Sequence, residues 1–266
     1  MRCSHLNRAL SALSETITMK KIVEVLDNIE RYKPLVTRWK QRNDPDIGFE
    51  LLFANQCESS GIELGYEKVV NDTEKSIDFQ ANTGDFVVNF ELYRVDLNEG
   101  IRELKRKDEL KGYRLESDAK EQHFRTAAQI IKLQWGLLEK VDKFKKPDNR
   151  TINLLCIDCT NVHAGMLDEH DVAITMWGKP YNSLWTEKWE GSRLLGILED
   201  GYTQRGYKKF RECISAVVFI PKQKALLLNG GYVAINHLQS KEHREATITA
   251  LKQLKGFESI RVCPRT

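Results

Sequence analysis

The stretch from Ser76 to Tyr93 alternates so regularly that a two-stranded hairpin is the arrangement best able to accommodate it. Ile77, Phe79, Ala81, Phe86, Val88, Phe90 and Leu92 form an apolar set, and Asp78, Gln80, Asn82, Asn89, Glu91 and Tyr93 a polar one, with Val87 alone out of phase. Gly84-Asp85 between the two runs suits a two-residue type II′ turn, which wants glycine at its first central position. That turn pairs residues whose numbers sum to 169, so Asp78 faces Glu91. Opposed Cβ atoms lie roughly 4.5–5.5 Å apart, close enough for two carboxylates to share a hard cation. A turn at Asn82-Thr83 is the alternative, and it would shift the two acids roughly 13 Å out of register. Acidic side chains on the solvent face of an edge hairpin are the plainer interpretation of the same residues.

The chain around this hairpin has 266 residues, 41% hydrophobic and 30% charged, enough for one large domain with a proper apolar centre. A formal charge of +3 does not by itself mark a nucleic-acid binder; clustering matters more. No apolar run reaches the ~20 residues of a membrane span. Met1 to Thr18 lacks the continuous apolar stretch of a signal peptide. Six scattered cysteines fit reduced thiols, so the expectation is a cytoplasmic protein with no membrane partner. Cys156-x-x-Cys159 falls in the apolar strand candidate Thr151–Thr160. Residues three apart on a strand point to opposite faces, so the pair belongs to packing and not to chelation.

Helical spacing marks Lys20–Tyr32, a short stretch around Leu35–Trp39, and a third run from Pro45 to about Gly61. A strand at Ile62–Val70 and the hairpin follow. Asp96 to Leu115 is highly charged and poorly patterned. Ser117–Val141 is the clearest long helix, closed by Lys143, Lys145, Lys146 and Pro147. After the strand at Thr151–Thr160 come a short helix at Leu167–Trp177, strands at Ile214–Ile220 and Ala225–Leu228, and a helix at Lys241–Leu254. The order predicts an α/β fold with a mixed central sheet flanked by helices. Four parts are expected: a helical segment 1–44, a core 45–178, an aromatic-basic insertion 179–212, and a C-terminal part 213–266 completing the same domain.

Helix, antiparallel strands bearing Asp and Glu, long helix, buried strand: this succession resembles the restriction-endonuclease-like PD-(D/E)XK nucleases. Ile77-Asp78 matches the acidic residue of the second strand, and Glu91-Leu92-Tyr93 the Glu-x-Lys position of the third. Glu50, in Phe49-Glu50-Leu51-Leu52, stands where members add a helix glutamate. Lys132 and Gln134, in Ile131-Lys132-Leu133-Gln134, stand where many bacterial members carry Lys and Gln. The resemblance covers roughly residues 45 to 178. It implies metal-dependent cleavage of DNA, as in restriction or defence. Mg²⁺ or Mn²⁺ would be held by Asp78, Glu91 and Glu50, the attacking water positioned by Tyr93 or Lys132, and substrate contacted by Gln134. Many such nucleases are homodimers, and RNA is the alternative substrate.

Tyr93 departs from the pattern, because the signature has lysine there. A phenol with a pKa near 10 is a poor base at neutral pH. Members of the superfamily recover the charge from another element, for which Lys132 is the candidate, or lose cleavage and keep binding. Two rival expectations therefore stand: an inactive nuclease-like fold that binds nucleic acid or a protein, and an unrelated α/β protein whose hairpin acids are surface. On the nuclease reading, Asp78→Ala and Glu91→Ala would each abolish cleavage and leave the fold intact.

Elsewhere, His163 and His170 flank Asp168 and Asp171, either as a metal-binding cluster or as a polar loop whose Asp168 caps a helix. Asp158 either approaches the hairpin acids or satisfies backbone amides. The aromatics and cations of 179–212 fit a nucleic-acid surface or an insertion packed on the core. The basic runs 102–114 and 140–150 fit a nucleic-acid cleft or a solvated face.

Overall fold

A computed structural model describes residues 19–70, 75–95, 119–160, 167–178, 195–199, 206–221, 231–257 and 260–263, with the backbone alone for 119–128. Most of the stretch 179–212, all of 96–118, His163 and the strand expected at Ala225–Leu228 lie outside these residues.

Three helices open the described chain: α1 (19–27), α2 (Lys33–Arg42) and α3 (Pro45–Ser59). Asp44 caps α3 by accepting from Asp46 N, and Pro45 takes the first helical position, where its missing N–H costs nothing. Ile47, Phe49, Leu51, Phe53, Ala54 and Cys57 of α3 are all buried. A helix apolar on so many sides has to be enclosed, here between α2 and the sheet.

The sheet has seven strands in sequential order: β1 (Leu64–Val69), β2 (Ser76–Asn82), β3 (Val87–Arg94), β4 (Thr151–Asp158), β5 (Ala216–Ile220), β6 (Tyr232–Ile235) and β7 (Arg261–Val262). The first three are antiparallel neighbours, β4 and β5 continue parallel to β3, β6 is antiparallel to β5, and β7 is parallel to β6. The long helix α4 (Ala119–Lys140) and the 3₁₀ turn Val141–Lys143 lie between β3 and β4 in the chain. Then come α5 (Glu169–Trp177), α6 (Tyr207–Cys213) and α7 (Lys241–Gln253). The architecture is α/β, a mixed sheet flanked by helices on both faces.

Strand alternation divides the core in two. Phe79, Phe90, Leu154 and Val218 pack with Phe53 of α3 and Leu251 of α7 on one face; Leu155, Ile157, Val217 and Phe219 pack with Leu137 of α4, Val172 of α5 and Phe210 of α6 on the other. Cys156 and Cys159 fall on opposite faces, fully buried, with their thiol pKa values pushed up by burial, as the spacing on a strand requires. Asp168 and Asp171 form a reciprocal capping box at α5.

The hairpin register is the one expected. Phe79 pairs with Phe90 and Asn82 with Val87, Thr83 N donates to Phe86 O, and Gly84 has φ +84. Asp85 has no positive φ, so the turn has the type II′ pattern and not type I′. Two expectations about its faces are corrected. The polar side is not wet: Asn89 is 3% and Glu91 0% exposed, because this side lies beneath α4 and the 3₁₀ turn. Ile77 belongs to the opposite core layer from Phe79. The registered pairs end at Phe79–Phe90, and Asp78 Oδ2 takes the Leu92 N–H at 2.7 Å. Across on β1, Glu67 has φ +48 between the pairs Tyr66–Phe79 and Lys68–Ile77. The ladder is interrupted at Asp78 from both sides, which re-aims the next side chain.

Candidate active site

The interruption at Asp78 turns its carboxylate towards the third strand. Oδ2 is held by the Leu92 amide, leaving Oδ1 to face Lys143 Nζ at 3.5 Å. The same ammonium stands 2.7 Å from Oε1 and 2.8 Å from Oε2 of Glu91, and Lys140 Nζ is 3.1 Å from Oε1. Two carboxylates from adjacent strands thus converge on one point, and that point is filled by an ammonium. Glu91 Oε1 lies within ion-pair distance of both lysines but receives no hydrogen bond of acceptable direction from either. Two ammonium groups this close compensate its charge, so this oxygen is not a free acceptor.

Lys140 and Lys143 reach Glu91 because α4 ends there and the chain tightens into the 3₁₀ turn. Val141 and Phe144 anchor this turn in the core, so Lys143 between them is delivered inward. It was Lys132 that the sequence offered as the replacement lysine. Lys132 sits two turns earlier on α4, about 12 Å along the axis, and no ion pair among the described residues joins it to Asp78 or Glu91. The lysine beside the hairpin acids is Lys143, with Lys140 second. Its sequence signal was the basic run closing the helix, which is equally what any helix C-terminus prefers.

Burial, joined by the negative charge of Asp78, pushes Glu91 up to about 7 despite the opposing lysines. Lys143 is held above its usual value: burial alone would lower it, and Asp78 and Glu91 more than offset that. Glu50, from α3, is also pushed up to about 7, first by burial and then by Asp78. Its Oε2 accepts from Tyr66 Oη at 3.3 Å and lies 3.7 Å from Arg38 Nη1. Glu50 therefore shares the electrostatic environment of Asp78 without joining the Lys143 cluster.

Two other expected site residues have structural engagements. Gln134 is 1% exposed, and its Nε2 donates to the carbonyls of Thr175 at 2.9 Å and Leu195 at 2.8 Å, tying α4 to α5 and to 195–199. Such an amide is not placed to contact substrate. The Tyr93 ring and hydroxyl lie against Gly136 of α4, with Lys140 Nζ 5.9 Å from the ring centroid. A Cβ at 136 would fall 2.1–2.4 Å from the ring and hydroxyl atoms of Tyr93. Gly136→Ala is expected to cost about 1–3 kcal/mol by overpacking. Thermal melts in a double-mutant cycle check it: Gly136→Ala should cost much less in a Tyr93→Ala background than in the wild type. Asp158 caps Thr160 and meets Arg94 Nε at 3.4 Å, so it serves the strand end and not the hairpin acids.

The donor set is hard oxygen. Asp78 and Glu91 bracket one position, the one where the Lys143 ammonium stands. This fits Mg²⁺ or Mn²⁺, ions that take one or two carboxylates together with substrate phosphate. It is not a preformed cage, since no three metal-ligating side chains among the described residues are gathered around one point. No helix among the described residues is long and apolar enough to cross a membrane. No family model, curated protein or solved structure matches this chain.

Proposed function

We propose that the chain is a metal-dependent endonuclease that hydrolyses DNA phosphodiester bonds, with Asp78 and Glu91 as the ligands of Mg²⁺ or Mn²⁺ and Glu50 extending the set. The observation that carries this is the convergence of Asp78 and Glu91 on the Lys143 ammonium. The order of α3, the antiparallel β1–β3, α4 and the parallel β4 supports it, being the succession on which the nuclease resemblance rests. A bound divalent ion would supply neutralisation of the phosphate and acidification of an attacking water.

The remaining chemistry belongs to the side chains. The Leu92 amide fixes Asp78 Oδ2, so Oδ1 is oriented before any ligand arrives. Lys143, beside both carboxylates, would be the side chain to orient a water or hold a phosphate oxygen. Lys140, over the Tyr93 ring, continues to compensate Glu91. Tyr93 acts here through Lys140, as a positioning residue. The second reading is an inactive fold that binds nucleic acid or a protein. Lys143 also favours it, because an ammonium already neutralising the acids makes a cation unnecessary for folding.

A pH dependence follows directly. Glu50 and Glu91 both titrate near 7, above their ordinary range, so at pH 6 each holds a proton that a cation must expel. Mn²⁺ affinity measured by calorimetry should fall by about tenfold between pH 8 and pH 6 for Glu91 alone, and further if Glu50 ligates. Proton release should accompany binding at pH 6. Affinity that is flat across this range contradicts the assignment of Glu91 as a ligand.

A further inference from the structure

Two basic segments distant in sequence meet beside the candidate site. The loop 140–150 and the segment 206–213, which contains α6, together hold eight cations against three acids, more positive excess than the whole chain's +3. They are joined where Lys209 Nζ contacts Asp142 Oδ1 at 3.0 Å and its carbonyl at 3.3 Å, and where Lys146 and Lys209 both act on the Cys213 thiol. Asp142 is thereby engaged, while Asp148, which accepts from Arg150 N, and Glu212 are exposed acids among these cations. Lys145, Lys146, Arg150 and Lys208 remain exposed. The 3₁₀ turn links this surface to the site: Asp142 faces α6, while its neighbour Lys143 faces Glu91.

The geometry points to a nucleic-acid track in which Lys145, Lys146, Arg150 and Lys208 neutralise backbone phosphates and lead the strand past Lys143. The choice of polymer rests on the nuclease reading; the surface itself does not. Cations with flexible stems spread over two elements suit a repeating anion better than a single compact one. Phosphate contacts of this kind position a strand without reading its sequence.

The test is fluorescence anisotropy with a labelled 20-base-pair duplex and a single strand of equal length, in EDTA, between 50 and 200 mM salt. Lys146→Glu with Lys208→Glu is compared with Lys20→Glu with Lys21→Glu, which makes the same charge change on α1, whose Ile22 and Leu26 pack in the other core layer from Phe210 of α6. The first pair should weaken wild-type duplex binding at least tenfold. It should also lower the slope of log K against log salt by about two, at ~0.9 per phosphate contact on B-DNA. The α1 pair should leave both near wild type. Lys146→Ala with Lys208→Ala should shift affinity the same way by less, which covers misfolding of the glutamate variant. Equal weakening by both glutamate pairs, no change in the first, or no wild-type binding at 50 mM salt overturns the track. Track-dependent binding by a protein that never cleaves would sink the nuclease reading alone, whereas cleavage with unaltered binding in the first pair would sink the track alone.

Discussion

Asp78→Asn should lower metal-dependent DNA cleavage by at least about a thousandfold while leaving the fold in place. The substitution keeps an oxygen to accept from Leu92 N and removes the charge that faces Lys143. A metal ligand contributes several kcal/mol to stabilising the reacting phosphate, and about 1.4 kcal/mol corresponds to each decade of rate. The Asp78 side chain is only 17% exposed, and a neutral amide costs less to bury there than a carboxylate. Its melting temperature should stay within a few degrees of wild type. Asparagine is the sharper choice over alanine, which would also leave the Leu92 amide without its acceptor. Unimpaired cleavage by Asp78→Asn removes this carboxylate from the site. Glu91 calls for the same care, because it is fully buried and Glu91→Ala would leave a void beside two lysines. The expectation that truncating either acid spares the fold therefore passes more safely to Asp78→Asn and Glu91→Gln.

Lys143→Met should abolish cleavage and, in the opposite direction, strengthen divalent-cation binding. The ammonium occupies the point the cation needs, so its removal takes away a competitor held within 2.8 Å of both Glu91 oxygens. It also removes the group that would hold the water or phosphate. Without cation the variant should lose stability, by about 3 kcal/mol or less since Lys140 still faces Glu91. The sign with pH is definite. Glu91 already titrates above its unfolded value, and losing a cationic neighbour raises it further. The part of the variant's deficit that comes from Glu91 is small wherever the folded protein keeps Glu91 protonated with or without Lys143, below about pH 7. It grows as pH rises through and beyond 7. Melts with and without Mn²⁺ at pH 5.5 and 8 measure both effects. If cation affinity falls in Lys143→Met, the ammonium is a partner of the ion and not its competitor.

What the sequence disclosed was whatever short-range pattern could carry. Strand alternation and a glycine at the turn were enough for the hairpin and its register, because period-two burial and one positive φ leave few arrangements. The long helix and β4 were equally legible from continuous apolar spacing. β6 and α6 were not, being short segments whose burial comes from neighbours distant in the chain. In α4, Ile131 follows the apolar helical spacing of Ile130, Leu133, Leu137 and Leu138 yet is 39% exposed, since such spacing does not mark where the partner surface ends. The site divides along the same line. Asp78 and Glu91 could be paired by arithmetic within one hairpin. Lys143 lies 52 residues beyond Glu91, and its approach depends on Val141 and Phe144 anchoring a 3₁₀ turn, which no local spacing encodes. For Gln134 the sequence held no sign of its engagement, because a polar residue on a helix looks the same whether it meets substrate or two backbone carbonyls.

Incubation of the wild-type protein with supercoiled plasmid in Mg²⁺ and in Mn²⁺ at pH 8 decides most directly whether this is a nuclease. Nicked or linear product that appears with either ion and disappears in EDTA and in Asp78→Asn is the result predicted here. Intact plasmid under both ions, from protein that calorimetry shows to have bound Mn²⁺, would contradict it and leave a nucleic-acid- or protein-binding module whose acids are neutralised by Lys143.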